Sequence, residues 1–168
     1  SRDSTMLALG ALIGRNVQPV PSDKASERRA GSLKVHGLEV DGALRNLADQ
    51  LGESYRTLVS NPDQSMPPAS SPSKATWQRA AVLTAAMANN FWRETGKLPP
   101  LPTLLRAPEG DIDILWRDGQ RKVLIGIPCD EDEPVEFFAN EPGNSDSEFQ
   151  GNIDEGRNNS WLLKWLTS

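Results

Sequence analysis

Apolar side chains first take on a helical period at Leu44, Leu47, Ala48, Leu51, Tyr55, Leu58 and Val59. Steps of three and four residues gather them on one stripe. Asp41 stands ahead of them as a candidate N-cap. The pattern predicts an amphipathic helix over about 42–59. A second stripe runs through Trp77, Ala81, Thr84, Ala88, Phe91 and Thr95, widened by Ala80, Leu83 and Met87. Ser73 precedes it as a cap, and Gly96 follows as a stop, with Pro99, Pro100 and Pro102 beyond. A helix over 74–95 is predicted, with alanines that allow close packing. Between the two helices, Pro62, Pro67, Pro68 and Pro72 remove backbone donors and exclude regular structure.

The period then falls to two. Ile112, Ile114 and Trp116 alternate along one face, and Asp118-Gly119 is a strong hairpin signal. Pairing Arg117 with Gln120 sets Ile114 opposite Val123 and Ile112 opposite Ile125, apolar against apolar. In the next strand, Ile127 opposite Val135 brings Ile125 to Phe137, while Phe138 points away from the core. Residues 111–140 therefore read as a three-stranded antiparallel meander. Residues 141–158, rich in Gly, Asn, Asp and Ser, read as a long loop or short irregular strands. A short helix over 160–166 closes the chain, with Trp161, Leu162, Trp165 and Leu166 apolar, and is expected to dock on the sheet.

Upstream of residue 41 the pattern is lost. Segment 14–40 is polar and broken by Pro19, Pro21, Gly31 and Gly37, which predicts a linker or mobile arm. The apolar run Met6–Ile13 is preceded by Arg2 alone, offset by Asp3, and lacks a small-residue cleavage site. It reads as a docking segment rather than a secretion signal. The expected architecture is α+β: a 1–40 arm, then one domain over 41–168 with two main helices packed on the meander.

Composition narrows the function classes. The 168 residues are 37% hydrophobic and include 13 Gly and 13 Pro, so the core is modest and loops are plentiful. No apolar run of about 18 residues exists to span a membrane. One cysteine, Cys129, excludes an internal disulfide and fits a reducing cytoplasm. The net charge of −5 is unevenly spread: residues 1–107 carry a net +4 and residues 108–168 a net −9. An acidic half disfavours nucleic acid, whose phosphates need Lys and Arg, and suits a protein partner with a basic surface.

Enzyme chemistry finds few footholds. Asp111 and Asp113 on a strand, followed by a hairpin, are similar to the first acid of a restriction-endonuclease-like core. Where that core needs Glu-x-Lys on the next strand, this chain has Gly126 and Pro128. A degenerate nuclease domain is thus the alternative reading, with a structural subunit threaded by its arm as another. Asp130, Glu131, Asp132 and Glu133 lack the ligand spacing of a calcium loop. His36 stands alone in a polar segment, so no histidine cluster exists for zinc, and Cys129 has no cationic neighbour in sequence. No phosphate-binding, dinucleotide or serine-hydrolase motif occurs. No cofactor is expected.

Five tryptophans, at 77, 92, 116, 161 and 165, suit either a thin core or a binding surface. Trp77 lies on the apolar stripe and is expected to be buried. Trp92 and Trp116 are expected to be half-exposed. The candidate partner-binding residues are Asp130, Glu131, Asp132, Glu133, Trp116, Phe138, Trp161 and Trp165.

Pro102, then Pro108-Glu109-Gly110-Asp111-Ile112 leading through Ile114 to Trp116, with Leu124, Ile127, Phe137 and Phe138 after it, carries a resemblance. Residues 45–167 resemble a set of small uncharacterised bacterial proteins with that hairpin, although Leu115 stands where they usually carry Glu. The resemblance names no catalytic residue. It implies a bacterial accessory protein of the kind found near toxin–antitoxin or phage-defence genes. The residues and the resemblance together predict a non-enzymatic regulatory or adaptor protein that binds another protein.

Overall fold

In the computed structural model, which describes residues 31–61 and 71–168, the longest helix runs from Lys74 to Thr95 between its two sequence-predicted stops. The Ser73 hydroxyl accepts from the Thr76 backbone N–H at 3.1 Å, satisfying one of the first-turn donors. Gly96 closes the other end at φ 69°, the left-handed conformation that favours glycine. The run Met6–Ile13, arm residues 1–30 and the proline-rich stretch 62–70 lie outside the described residues.

The chain separates into two units, Ser1–Leu33 with Asp41–Ala43, and Lys34–Val40 with Leu44–Ser168. Of the first, only residues 31–33 and 41–43 are described. Along the described chain, β1 (Ser32–Val35) and β2 (Leu38–Asp41) form a two-stranded hairpin. A helical stretch follows: a 3-10 turn at Gly42–Leu44, α1 (Arg45–Tyr55) and a π turn at Arg56–Ser60. Then come α2 (Lys74–Thr95), β3 (Thr103–Arg106), β4 (Ile112–Asp118), β5 (Arg121–Ile127), β6 (Val135–Glu141), β7 (Asn144–Ile153) and α3 (Ser160–Thr167).

The expected two helices on a three-stranded meander are corrected by this architecture. Among the described residues the large sheet has five antiparallel strands in the order β3-β4-β5-β6-β7, and three α-helices accompany it. The meander supplies its middle, with β3 and β7 added at the edges. The hairpin β1–β2 stands where an arm is expected. Its turn residues His36 and Gly37 both have positive φ, at 48° and 86°, which is the requirement of a type I′ turn.

The β5–β6 register is the expected one, with Ile125 opposite Phe137. The β4–β5 register differs by two residues: Ile114 faces Ile125 and Ile112 faces Ile127. The turn is Gly119-Gln120 rather than Asp118-Gly119, with positive φ at Gly119 alone, the pattern of a type II′ turn. A two-residue shift keeps the same side chains inward, so apolar alternation does not distinguish the two registers.

One face of the sheet carries Leu104, Ile112, Ile114, Trp116, Val123, Ile125, Ile127, Val135, Phe137, Ala139 and Ile153, all buried. Helices α2 and α3 pack on β4 and β5 from that side. The alanines of α2 allow the approach: Ala80, Ala81 and Ala88 are fully buried. Trp77, also buried, donates its indole N–H to Ser54 Oγ at 2.9 Å and so ties α2 to α1. Among the described residues no helix is long and apolar enough to cross a membrane.

Helix α3 is fastened to α2 through Glu94. Lys164 Nζ lies 2.6 Å from Glu94 Oε1, Ser160 Oγ donates to the same oxygen at 2.7 Å, and Asn158 donates to the other. The Lys164 ammonium above all, with the Ser160 and Asn158 donors, lowers the Glu94 carboxyl from 4.5 to about 2. A carboxylate depressed in the folded state contributes stability that is present above the unfolded value and lost as pH falls towards the folded one. Between pH 4.5 and 2 the wild type should therefore lose more of its melting temperature than Glu94→Gln does, as thermal melts across that range would register. Equal pH slopes would remove Glu94 from the acid transition.

Candidate protein-binding surfaces

Three surfaces collect most of the residues the sequence singles out. The first is the β5–β6 loop, where Asp130, Glu131, Asp132 and Glu133 are all exposed. Its backbone is held from α2 by Arg79. Nη1 donates to the carbonyls of Pro128 at 3.4 Å and Asp130 at 3.3 Å, and Nη2 donates to that of Glu133 at 2.9 Å. The same guanidinium grips Glu155 through Nε at 3.0 Å and Nη2 at 2.8 Å, a two-pronged carboxylate pair. The hydrogen bond to Glu155 is also the main reason the Arg79 guanidinium is held more firmly protonated than usual. The four acids are therefore presented on a braced backbone, which lowers the entropy cost of ordering them against a partner. Arg79 gave no sequence signal, because its acceptors lie about fifty or more residues away and most are carbonyls.

The second surface is aromatic. Trp161 on α3 is 47% exposed, and its ring stacks on Phe149 of β7 with centroids 6.2 Å apart. Phe137 meets Trp161 edge-on at 5.7 Å, and Trp165 meets Phe149 edge-on at 5.0 Å. Arg121 lies over the other ring, its guanidinium carbon 5.0 Å from the Trp165 centroid. That side chain also donates to the Trp165 carbonyl at 2.6 Å and pairs with Glu141 at 3.1 Å. It neutralises the negative end of α3 and ties it to the sheet. Trp161 and Trp165 both pack against Phe149, which comes from a region without readable periodicity. Gly151 gives Phe137 its place: a Cβ there would sit 3.2 Å from the Phe137 ring. This shelf borders β7, an edge strand of the sheet.

The third surface is the sheet face opposite the helices. Phe138 lies there as expected, half-buried beside Leu124, its cross-strand neighbour.

Trp116 requires a correction. It is fully buried, pairs with Val123 and packs in the core, so it presents no surface to a partner. The turn at Gly119-Gln120 carries the strand one residue further than expected, to Asp118, and shifts the pairing by two, which sets Trp116 opposite Val123 inside the hairpin. Arg121, at the start of β5, caps the C-terminal end of α3.

Asp111 and Asp113 have structural surroundings. Asp111 Oδ1 accepts from the Cys129 backbone N–H at 2.8 Å and fastens the two strand ends. Asp113 faces Gly126 across the ladder, and burial together with the Asp111 charge pushes its carboxyl up. No group of three or more His, Cys, Asp or Glu is placed to hold a metal among the described residues. The exposed Cys129 thiol is pushed up by desolvation and by Asp111, which keeps the reactive thiolate scarce. It borders a groove of about 420 Å³ that also contains Arg79 and Glu155. His36 is exposed, its ring 4.0 Å from that of Tyr55. The Pro108-Glu109-Gly110 motif is a sharp turn, with Glu109 at φ 62° and Gly110 at φ 85°, that delivers the chain into β4.

Comparison with known proteins finds no matching family model, no matching curated protein and no matching solved structure.

Proposed function

We propose that the chain is a non-enzymatic regulatory or adaptor protein that works by binding another protein, one with a basic surface. Trp161 carries this reading. A tryptophan left half in solvent on an aromatic platform has the chemistry of an interface anchor: large apolar area, low side-chain entropy and a free N–H edge. The net charge of −9 over residues 108–168, with the braced acids 130–133, adds the electrostatic half of the argument. The resemblance supplies the setting, a bacterial defence or toxin–antitoxin-like system.

Capture of the tagged chain from its native host at low and at high salt tests the proposal. A stoichiometric protein retained at low salt and released at high salt is the expected result, because exposed charge pairs are screened. A chain that captures no other protein at either salt overturns it.

A further inference from the structure

The sheet face that carries no helix among the described residues is ordered into three rows running across the strands. The central row is Thr103, Leu115, Leu124, Phe138 and Gln150, each residue opposite the next in the ladder. On one side lies the row Leu105, Asp113, Gly126, Glu136 and Asn152. On the other lies the row Arg117, Lys122 and Asn140. An apolar centre is thus flanked by an acidic row and a basic row. Leu105, at the edge, is 41% exposed.

Two features of this face are unfavourable in the single chain. Arg117 and Lys122 are directly opposite each other, a like-charge cross-strand pair. None of Asp113, Glu136, Arg117 and Lys122 makes an ion pair among the described residues. On β4, β5 and β6 each sign is gathered in its own row, so cross-strand neighbours there cannot neutralise one another.

We infer that this face is an interface between two copies of the chain, packed sheet on sheet about a two-fold axis running along the Leu115–Leu124–Phe138 row. That axis reverses the strand direction and leaves the rows parallel. It sets apolar row on apolar row and lays the acidic row of each copy over the basic row of the other. On β4, Asp113 meets Arg117 of the second copy, and by symmetry the reverse. The other two-fold, along the strands, would set acid on acid and base on base. Strands about 4.8 Å apart and about six residues long give a planar face of roughly 500 Å². This is smaller than the ~800 Å² per partner of a standard interface, so the dimer is weak, dissociating in the micromolar range or above.

Sedimentation equilibrium over about 1–300 µM tests this, a range that brackets such an affinity. The wild type should populate a dimer. Arg117→Glu and Asp113→Arg should each weaken it by more than about tenfold, since each brings like charges together twice across the axis. Mixing these two variants should restore association as a heterodimer, because Asp113 and Glu at 117 on one chain then face two arginines on the other. That recovery also shows that both variants fold. A wild type that stays monomeric throughout, single variants that dimerise like the wild type, or a mixture that fails to associate would each overturn the inference.

Discussion

Trp116→Ala should lower the stability of the fold by about 3–5 kcal/mol, the range for removing a large aromatic from a core. For a chain of 168 residues this is a fall in melting temperature of roughly 10 °C. The side chain is fully buried and shares the inner face with Ile112, Ile114, Val123 and Ile125. Its indole N–H has no acceptor among the described residues, so the ring is held by packing alone. The cavity left by alanine would lie under α2 and α3, which pack on β4 and β5. Denaturant melts measure the change directly. A loss under about 1 kcal/mol would place Trp116 at the surface, where only binding would suffer.

Arg79→Ala is the second large effect, expected at about 2–3 kcal/mol from charge-assisted hydrogen bonds. One guanidinium satisfies three loop carbonyls and a carboxylate, so its removal frees the β5–β6 loop and the segment around Glu155 together. Amide exchange around 129–133 should accelerate in the variant, along with that around 154–157. Arg79→Lys should recover little, because an ammonium cannot reproduce the planar fork that reaches four groups. Full rescue by lysine would mean that charge alone holds the loop.

The elements legible in the sequence are those whose signals are local. Helix α2 is bounded by Ser73 and Gly96 as read, because a cap, an apolar stripe and a glycine stop all coincide. The β5–β6 register follows from apolar alternation on two strands. Strand β3 is hidden because Pro102 precedes it and Thr103-Leu-Leu-Arg106 does not alternate, although proline is tolerated at the start of an edge strand. Strand β7 is hidden because Asn, Asp, Ser and Gly are poor strand formers. One of its inward positions is Gly151, which has no side chain to mark the period. The hairpin at His36-Gly37 lacks the Asn-Gly or Asp-Gly signature its turn type favours.

The same division runs through the candidate surfaces. Local periodicity places Trp161 and Trp165 on one short helix and Phe138 off the core, and in the structure both tryptophans pack against Phe149 while Phe138 lies on the sheet face opposite the helices. Trp116 is core rather than surface because the position of a two-residue turn, which apolar alternation does not fix, decides where the strand ends and what it pairs with. Phe149, Arg79 and Arg121 act through partners distant in sequence, and only the fold brings them into place.

Titration of the captured partner, by calorimetry at low salt, into wild type and into Trp161→Ala measures the central claim. The substitution removes a half-exposed ring, so melting should change little while affinity falls by about tenfold or more, as for an interface anchor. Equal affinities for a folded Trp161→Ala and the wild type would contradict the account, because the aromatic shelf would then take no part in binding.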